Sequence, residues 1–333
     1  MSKSSLFPSL AAWMSGTRAA HPLRELFDAA EDSDHPTSFR RSILQAFDDI
    51  IGTLEAVQPR YLAQPKKDFV RARTDDDLMI VRAELVAGAK LARAGVAFDF
   101  GTRGDSPEPD LILRETNLGV EVKARRLNGL KDLEHELTAA WGEADLPAIV
   151  HLVCRERPLE IKKDVREAIV EETLTRVRNR AWGSAVTQLE RPWSATPQLE
   201  LTVRVFEAPA AAGLSVVVED GFELSGHLQD IEAQVVAVLS DPQKIKQAEA
   251  KPTILLVDTA RTGLSWMRQP QYWASRLASL LPNTSPFVGI GIMLQTLDSA
   301  DVPISFALRE NAAADELDAA KKLAIDLGLT LTE

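Results

Sequence analysis

A single cysteine, Cys154, occurs among 333 residues, so no internal disulfide can form. Its place in the apolar run AIVHLVC fits a buried thiol, and a reducing, cytoplasmic setting is the expectation. No run of eighteen apolar residues is present, which excludes an apolar membrane-spanning helix, and no membrane partner is expected. Lys3 with the following stretch LFPSLAAWM imitates a signal peptide. Pro8 interrupts that stretch and Arg18 precedes the small residues that follow it, so export is not expected. Positive charge is in deficit: 38 Lys and Arg face 49 Asp and Glu, for a net charge of −11. Such a chain does not coat nucleic acid by charge alone, because phosphate neutralisation needs clustered Lys and Arg. A local basic cleft, or a bound metal that supplies the positive field, remains compatible with a phosphate substrate.

Other absences narrow the choice further. His21, His35, His135, His151 and His227 are scattered without metal-ligand spacing, which argues against a zinc hydrolase. The strand-like ILLVDTA carries Asp258 as an ATPase strand would, yet no GxxxxGK[ST] phosphate loop exists anywhere. Internal repeats, low-complexity tracts and heptads are all missing. With 45% hydrophobic and 26% charged residues, the composition is that of a globular chain long enough for one elaborated domain or two smaller ones.

The pattern that is present alternates helix and strand. SFRRSILQAFDDIIGTLEAV sets Ile43, Phe47, Ile50, Ile51 and Leu54 at helical spacing, and Pro59, Pro65 and Lys66-Lys67 mark a break, giving a boundary near residue 70. From Thr74, TDDDLMIVRAELVAGAKLARAG opens with a capping residue and an acidic first turn, carries an apolar stripe through Leu78, Val81, Leu85, Gly88 and Ala92, and stops at Gly95. Strands are expected at 96–100, 110–115 and 119–125, then a helix in DLEHELTAAW and a strand in AIVHLVC. Further on, the pattern predicts a charged helix at 160–178, a strand around WGSAVTQL and a strand pair LELTVRVFEA with LSVVVED. A helix near 227–249, strand TILLVD, a helix through Tyr272 and Leu280, strands FVGIGIML and ISFAL, and a last helix from Ala312 complete it.

Chemistry concentrates in PDLILRETNLGVEVKAR. Period-two alternation puts Glu121, Lys123 and Arg125 on one face of the last strand, and Val120, Val122 and Ala124 on the other. Charges on an otherwise buried strand are costly unless paired or bound to a metal. If the two strands pair antiparallel through the TNLG turn, Asp110 converges with Glu121. Two carboxylates and a lysine suit phosphodiester cleavage: hard oxygen ligands hold Mg²⁺ or Mn²⁺, and the lysine orients water or stabilises developing charge. The bland alternative is a solvated Glu121–Lys123 ion pair on an edge strand, with Asp110 capping a turn after Pro109.

Pro109-Asp110 followed by Glu121-Val122-Lys123 resembles the signature of the PD-(D/E)xK nuclease superfamily. The resemblance implies an α/β, restriction-endonuclease-like mixed sheet flanked by helices, in which the first acid opens the second strand and the ExK acid and lysine lie on the third. Residues 75–154 follow that helix–strand–strand–strand–helix–strand plan in order. The implied division is an N-terminal helical extension at 1–70, a nuclease core at 71–160 and a C-terminal α/β elaboration packed on the core at 161–333.

By the same likeness Glu84, Asp110, Glu121 and the Val122 carbonyl would bind Mg²⁺ or Mn²⁺, and Lys123 would position the attacking water. Arg103, in the loop before Asp110, and Arg125 and Arg126, just after the motif, either grip a phosphate backbone or are solvated loop charges. The implied activity is hydrolysis of DNA phosphodiester bonds, in repair, recombination or defence against foreign DNA, with RNA not excluded and a homodimer possible. The alternative is a catalytically inactive binding or scaffold protein of the same fold. The charged helix with Lys162, Lys163, Arg166, Arg176, Arg178 and Arg180 interleaves acidic residues and reads as an ordinary exposed face. Trp266, Tyr272 and Trp273 read as core or interface aromatics before base-stacking ones.

Overall fold

A computed structural model describes all residues except 1–5, 33–37, 103–107, 127–128, 145–147, 155–157, 159–160, 191–197, 209–212, 219–223, 262–268, 295 and 330–333. Among the described residues the order begins with helices α1 (Pro8–Met14), α2 (Arg24–Asp32), α3 (Ser38–Val57), α4 (Ala63–Arg71) and α5 (Asp75–Arg93). Strands β1 (Phe98–Phe100), β2 (Leu111–Leu113) and β3 (Gly119–Arg126) follow, then α6 (Gly129–Ala144), β4 (Ala148–Cys154) and α7 (Lys163–Arg178). Next come β5 (Gly183–Glu190), β6 (Gln198–Glu207), β7 (Gly213–Val218), α8 (Leu224–Leu239), α9 (Pro242–Ala250) and β8 (Thr253–Arg261). The chain closes with α10 (Pro270–Leu280), β9 (Gly289–Met293), β10 (Ile304–Leu308) and α11 (Ala314–Asp326). No described helix is long and apolar enough to cross a membrane.

Contacts divide the chain into two units, Met1–Arg125 with Val235–Glu333, and Arg126–Gln234. The first holds a six-stranded mixed sheet in the order β1-β2-β3-β8-β9-β10, flanked by helices. Pairings β1–β2, β2–β3 and β9–β10 are antiparallel and β8–β9 is parallel. The α/β class is therefore as expected.

Helix α5 is central to this unit. The Thr74 hydroxyl accepts the Asp77 N–H and the Asp77 carboxylate accepts the Thr74 N–H, both at 3.1 Å, so two donors of the first turn are satisfied at once. Leu78, Val81, Leu85 and Leu91 are all buried. At Gly88 a Cβ would come within 3.2 to 3.3 Å of Phe100, Leu54 and Phe98, so glycine lets the helix lie tight on β1.

The second unit is a four-stranded sheet, β5-β6-β4-β7, with β4 antiparallel to β6 and parallel to β7. Leu133, Leu137, Val150, Leu152, Leu201 and Val205 form its core, and Cys154 is buried among them as expected. Two sequence expectations are corrected here. Helix α6 and strand β4, anticipated as the closing helix and strand of the nuclease-like core, belong to this second sheet, and β6 and β7 flank β4 instead of pairing with each other. The position beside β3 is taken by β8, whose Thr253–Thr259 run is buried on both faces, as a central strand requires. Strand β4 alternates through the half-buried Ile149 and His151 and suits a sheet with one covered face.

The helix expected near 227–249 is broken in two. Pro242 opens α9, and the Asp241 carboxylate accepts the N–H groups of Gln243 and Lys244 at 2.9 and 3.4 Å.

Candidate functional site

The first unit's sheet brings the PD…ExK residues together where β2 pairs with β3, inside the strand order. Leu111 pairs with Val120 and Ile112 with Gly119, so the antiparallel register continues to set Asp110 opposite Glu121. Asp110 is anchored there: its Oδ2 accepts the Val122 backbone N–H at 2.8 Å. Gly119 makes the approach possible, because a Cβ there would stand 2.4 Å from the Pro109 ring and 2.8 Å from Thr253 Oγ1. The same residue ties β3 to its neighbour, its N–H donating to the Pro252 carbonyl at 2.8 Å.

Along β3, Val120 and Val122 turn into the apolar core, while Glu121 and Lys123 share the other face, with Lys123 Nζ 3.6 Å from Glu121 Oε1. Glu121 is not a solvated edge charge; it is 0% exposed. Its Oε1 also receives the ammonium of Lys244, a residue of α9 that is itself buried. Neither Glu121 oxygen accepts a hydrogen bond of good geometry among the described residues; Oε1 is met by the lysine ion pairs alone, and Oε2 faces no cation there. A buried carboxylate oxygen left this way is expensive.

Electrostatics follow the geometry. Burial, and then the negative charge of Asp110, push the Glu121 carboxyl up to about 7 against the pull of Lys244 and Lys123. Burial also lowers Lys123, assisted by the like charge of Lys244 and opposed by Glu121 and Asp110. For Lys244 the burial effect is outweighed by its attraction to Glu121 and Asp110, and its ammonium is held above the ordinary lysine range. The cluster thus counts two carboxylates and two ammonium groups within one small, largely water-excluded site.

Glu84 is buried on α5 and partnered; the distances that define the cluster link Glu121 to Lys123 and Lys244, and Asp110 to Val122. Among the described residues no three His, Cys, Asp or Glu side chains are grouped to hold a metal ion. Val122 contributes its N–H, used by Asp110, and a core side chain. Arg103 lies outside the described residues, and Arg125 and Arg126 are described only as the backbone end of β3. Trp266 lies outside them as well; Trp273 is fully buried, with Tyr272 edge-on at 5.3 Å. Asp258 is 1% exposed and its charge acts on Arg82, a fully buried cation that donates to the carbonyls of Thr296, Leu297 and Ser299, each at 3.2 Å. That is a structural role.

Sequence reasoning missed Lys244 and its helix neighbour Gln247. The Asp-Pro pair that starts α9 was a readable signal; that a lysine one turn later would be buried against Glu121 was not. Comparison of the chain with protein families, with curated proteins and with solved structures finds no match.

Proposed function

We propose that the chain is a divalent-metal-dependent nuclease of the restriction-endonuclease-like kind, hydrolysing DNA phosphodiester bonds at the Asp110–Glu121–Lys123 cluster. The observation that carries this reading is the buried Glu121 carboxylate, one step beyond the Leu111–Val120 pair that sets it opposite Asp110, beside Lys123, and with neither oxygen accepting a hydrogen bond among the described residues. Hard carboxylate oxygens on adjacent strands suit Mg²⁺ or Mn²⁺, and Mg²⁺ keeps several waters, so two protein carboxylates are a sufficient anchor.

The fit is chemical: Glu121 Oε2 and the Asp110 oxygen not engaged by Val122 are the available donors, and Glu84 is a further candidate. A bound cation would supply charge neutralisation at the scissile phosphate and acidify water there. Hydrolysis adds water across a P–O ester bond: the water oxygen bonds to phosphorus, the ester oxygen leaves and takes up a proton. Lys123 keeps 31% of its side chain exposed to solvent. Its ammonium orients the attacking water and stabilises charge growing on the phosphoryl oxygens. Asp110, fixed by the Val122 N–H, keeps its carboxylate from turning away. Arg125, two residues beyond Lys123 in the sequence, would hold phosphate.

A second reading has its own support. Lys244 pairs with the Glu121 charge without any metal, as a catalytically inactive nuclease-fold binding or scaffold protein would allow. Incubation of the purified chain with labelled DNA and RNA, in Mg²⁺, Mn²⁺ or chelator, separates the readings. Metal-dependent DNA cleavage lost in both Asp110→Ala and Lys123→Ala supports the nuclease. Cleavage of RNA alone redirects the substrate, and no cleavage of either favours the scaffold.

A further inference from the structure

We propose that Lys244 is a positioning residue of this site: its ammonium fixes the Glu121 carboxylate by Oε1 and stands as the resident counter-cation with which an incoming divalent metal must share that carboxylate. The inference rests on reading the cluster as a cation site. Three observations carry it.

Helix α9 is tied to both acid-bearing segments, by Lys244 to Glu121 on β3 and by Gln247, whose Nε2 donates to the Glu108 carbonyl at 3.0 Å, two residues before Asp110. Lys244 is 7% exposed, and burying an ammonium is unfavourable unless it is paired, so it is committed to Glu121. Finally, with Asp110 and Glu121 facing Lys123 and Lys244, the cluster is formally neutral before any metal enters. A divalent cation adds two positive charges. Lys123, nearer solvent, can swing outward to relieve the repulsion, whereas Lys244 is enclosed. Lys244 therefore lowers metal affinity while holding Oε2 free for the metal.

The test measures Mn²⁺ binding to the full chain by calorimetry and electron paramagnetic resonance at about pH 8, where protons compete little for Glu121. Neither readout requires cleavage. Lys244→Met and Lys244→Gln are expected to bind Mn²⁺ about tenfold or more tightly than the unsubstituted chain, and Lys244→Arg about equally. Should Lys244→Met fail to fold, the Gln variant, whose amide still donates to Glu121, carries the measurement; a variant that folds only when Mn²⁺ is added also supports the proposal. Binding that depends on Asp110 and Glu121 but is unchanged or weaker in Lys244→Gln overturns the role of Lys244 and leaves the cation site standing. No Mn²⁺ binding by any of these proteins overturns both.

Discussion

Glu121 carries the sharpest consequences at the scale of single residues. Its folded carboxyl is held near 7 while its ordinary value is 4.5. The group therefore favours the folded state fully below pH 4.5, and that contribution is lost as pH rises through about 7. Urea denaturation in chelator is expected to show stability declining across this window, with a slope of at most about 1.4 kcal/mol per pH unit from one proton. Glu121→Gln should flatten that slope; an unchanged slope in the variant would place the titration elsewhere. Binding of a divalent cation releases this proton, so metal affinity should rise through the same window. Asp110→Ala and Lys123→Ala are expected to lower metal-dependent cleavage by about 10²-fold or more, measured as single-turnover rates on labelled DNA. These three residues were legible because their arrangement is local: period-two alternation fixes the face of β3, and a short turn fixes the register with β2. Lys244 was not legible, since nothing in a helix rich in Lys and Gln says which lysine is buried, and the chain passes through a whole second unit before reaching it.

Elements position the site through a few exact fits. Gly119 sits between Pro109 and Thr253, and a methyl group there meets a proline ring at 2.4 Å and a strand hydroxyl at 2.8 Å. Gly119→Ala is expected to cost about 1–3 kcal/mol by forced displacement of β2 or β8. Thermal unfolding measures the cost, and an unaltered midpoint would show that the neighbours yield freely. Helix starts were the most readable feature. Thr74, with acidic residues behind it, announced α5, and its capping pair is in place. Asp241-Pro242 is an equally good start signal, yet the apolar pattern on either side ran on and suggested one helix. Asp241→Ala removes the acceptor for two N–H groups of α9, a loss of about 1 kcal/mol. Because Lys244 is one of those two donors, the same substitution should disturb the Lys244–Glu121 contact, which nuclear magnetic resonance of the lysine ammonium would report.

On the scale of the whole molecule, the sequence predicts boundaries near residues 70 and 160, whereas contacts divide the chain at Arg125/Arg126 and Gln234/Val235. The first of these points falls at the end of β3 and the second inside α8. A chain that changes unit within a strand or a helix leaves no proline- or glycine-rich linker to read. The local order of elements from 75 to 154 consequently suggested one continuous core, while the sheet that holds Asp110 and Glu121 is completed by β8 from the other end of the sequence. Because the second unit has a core of its own, damage to that core should be separable from the site. Leu201, 0% exposed, is buried among Val150, Leu152 and Cys154. Leu201→Ala is expected to cost the second unit about 2–5 kcal/mol. Cys154, the single thiol of the chain, lies in that core and reports its opening: its labelling by a thiol reagent should accelerate in the variant. Mn²⁺ affinity at Asp110 and Glu121 should stay unchanged under the same conditions, since every residue of the cluster belongs to the first unit. Affinity falling in parallel with Cys154 protection would mean that the two cores open as one, and that the inserted residues sustain the site although they contribute no side chain to it.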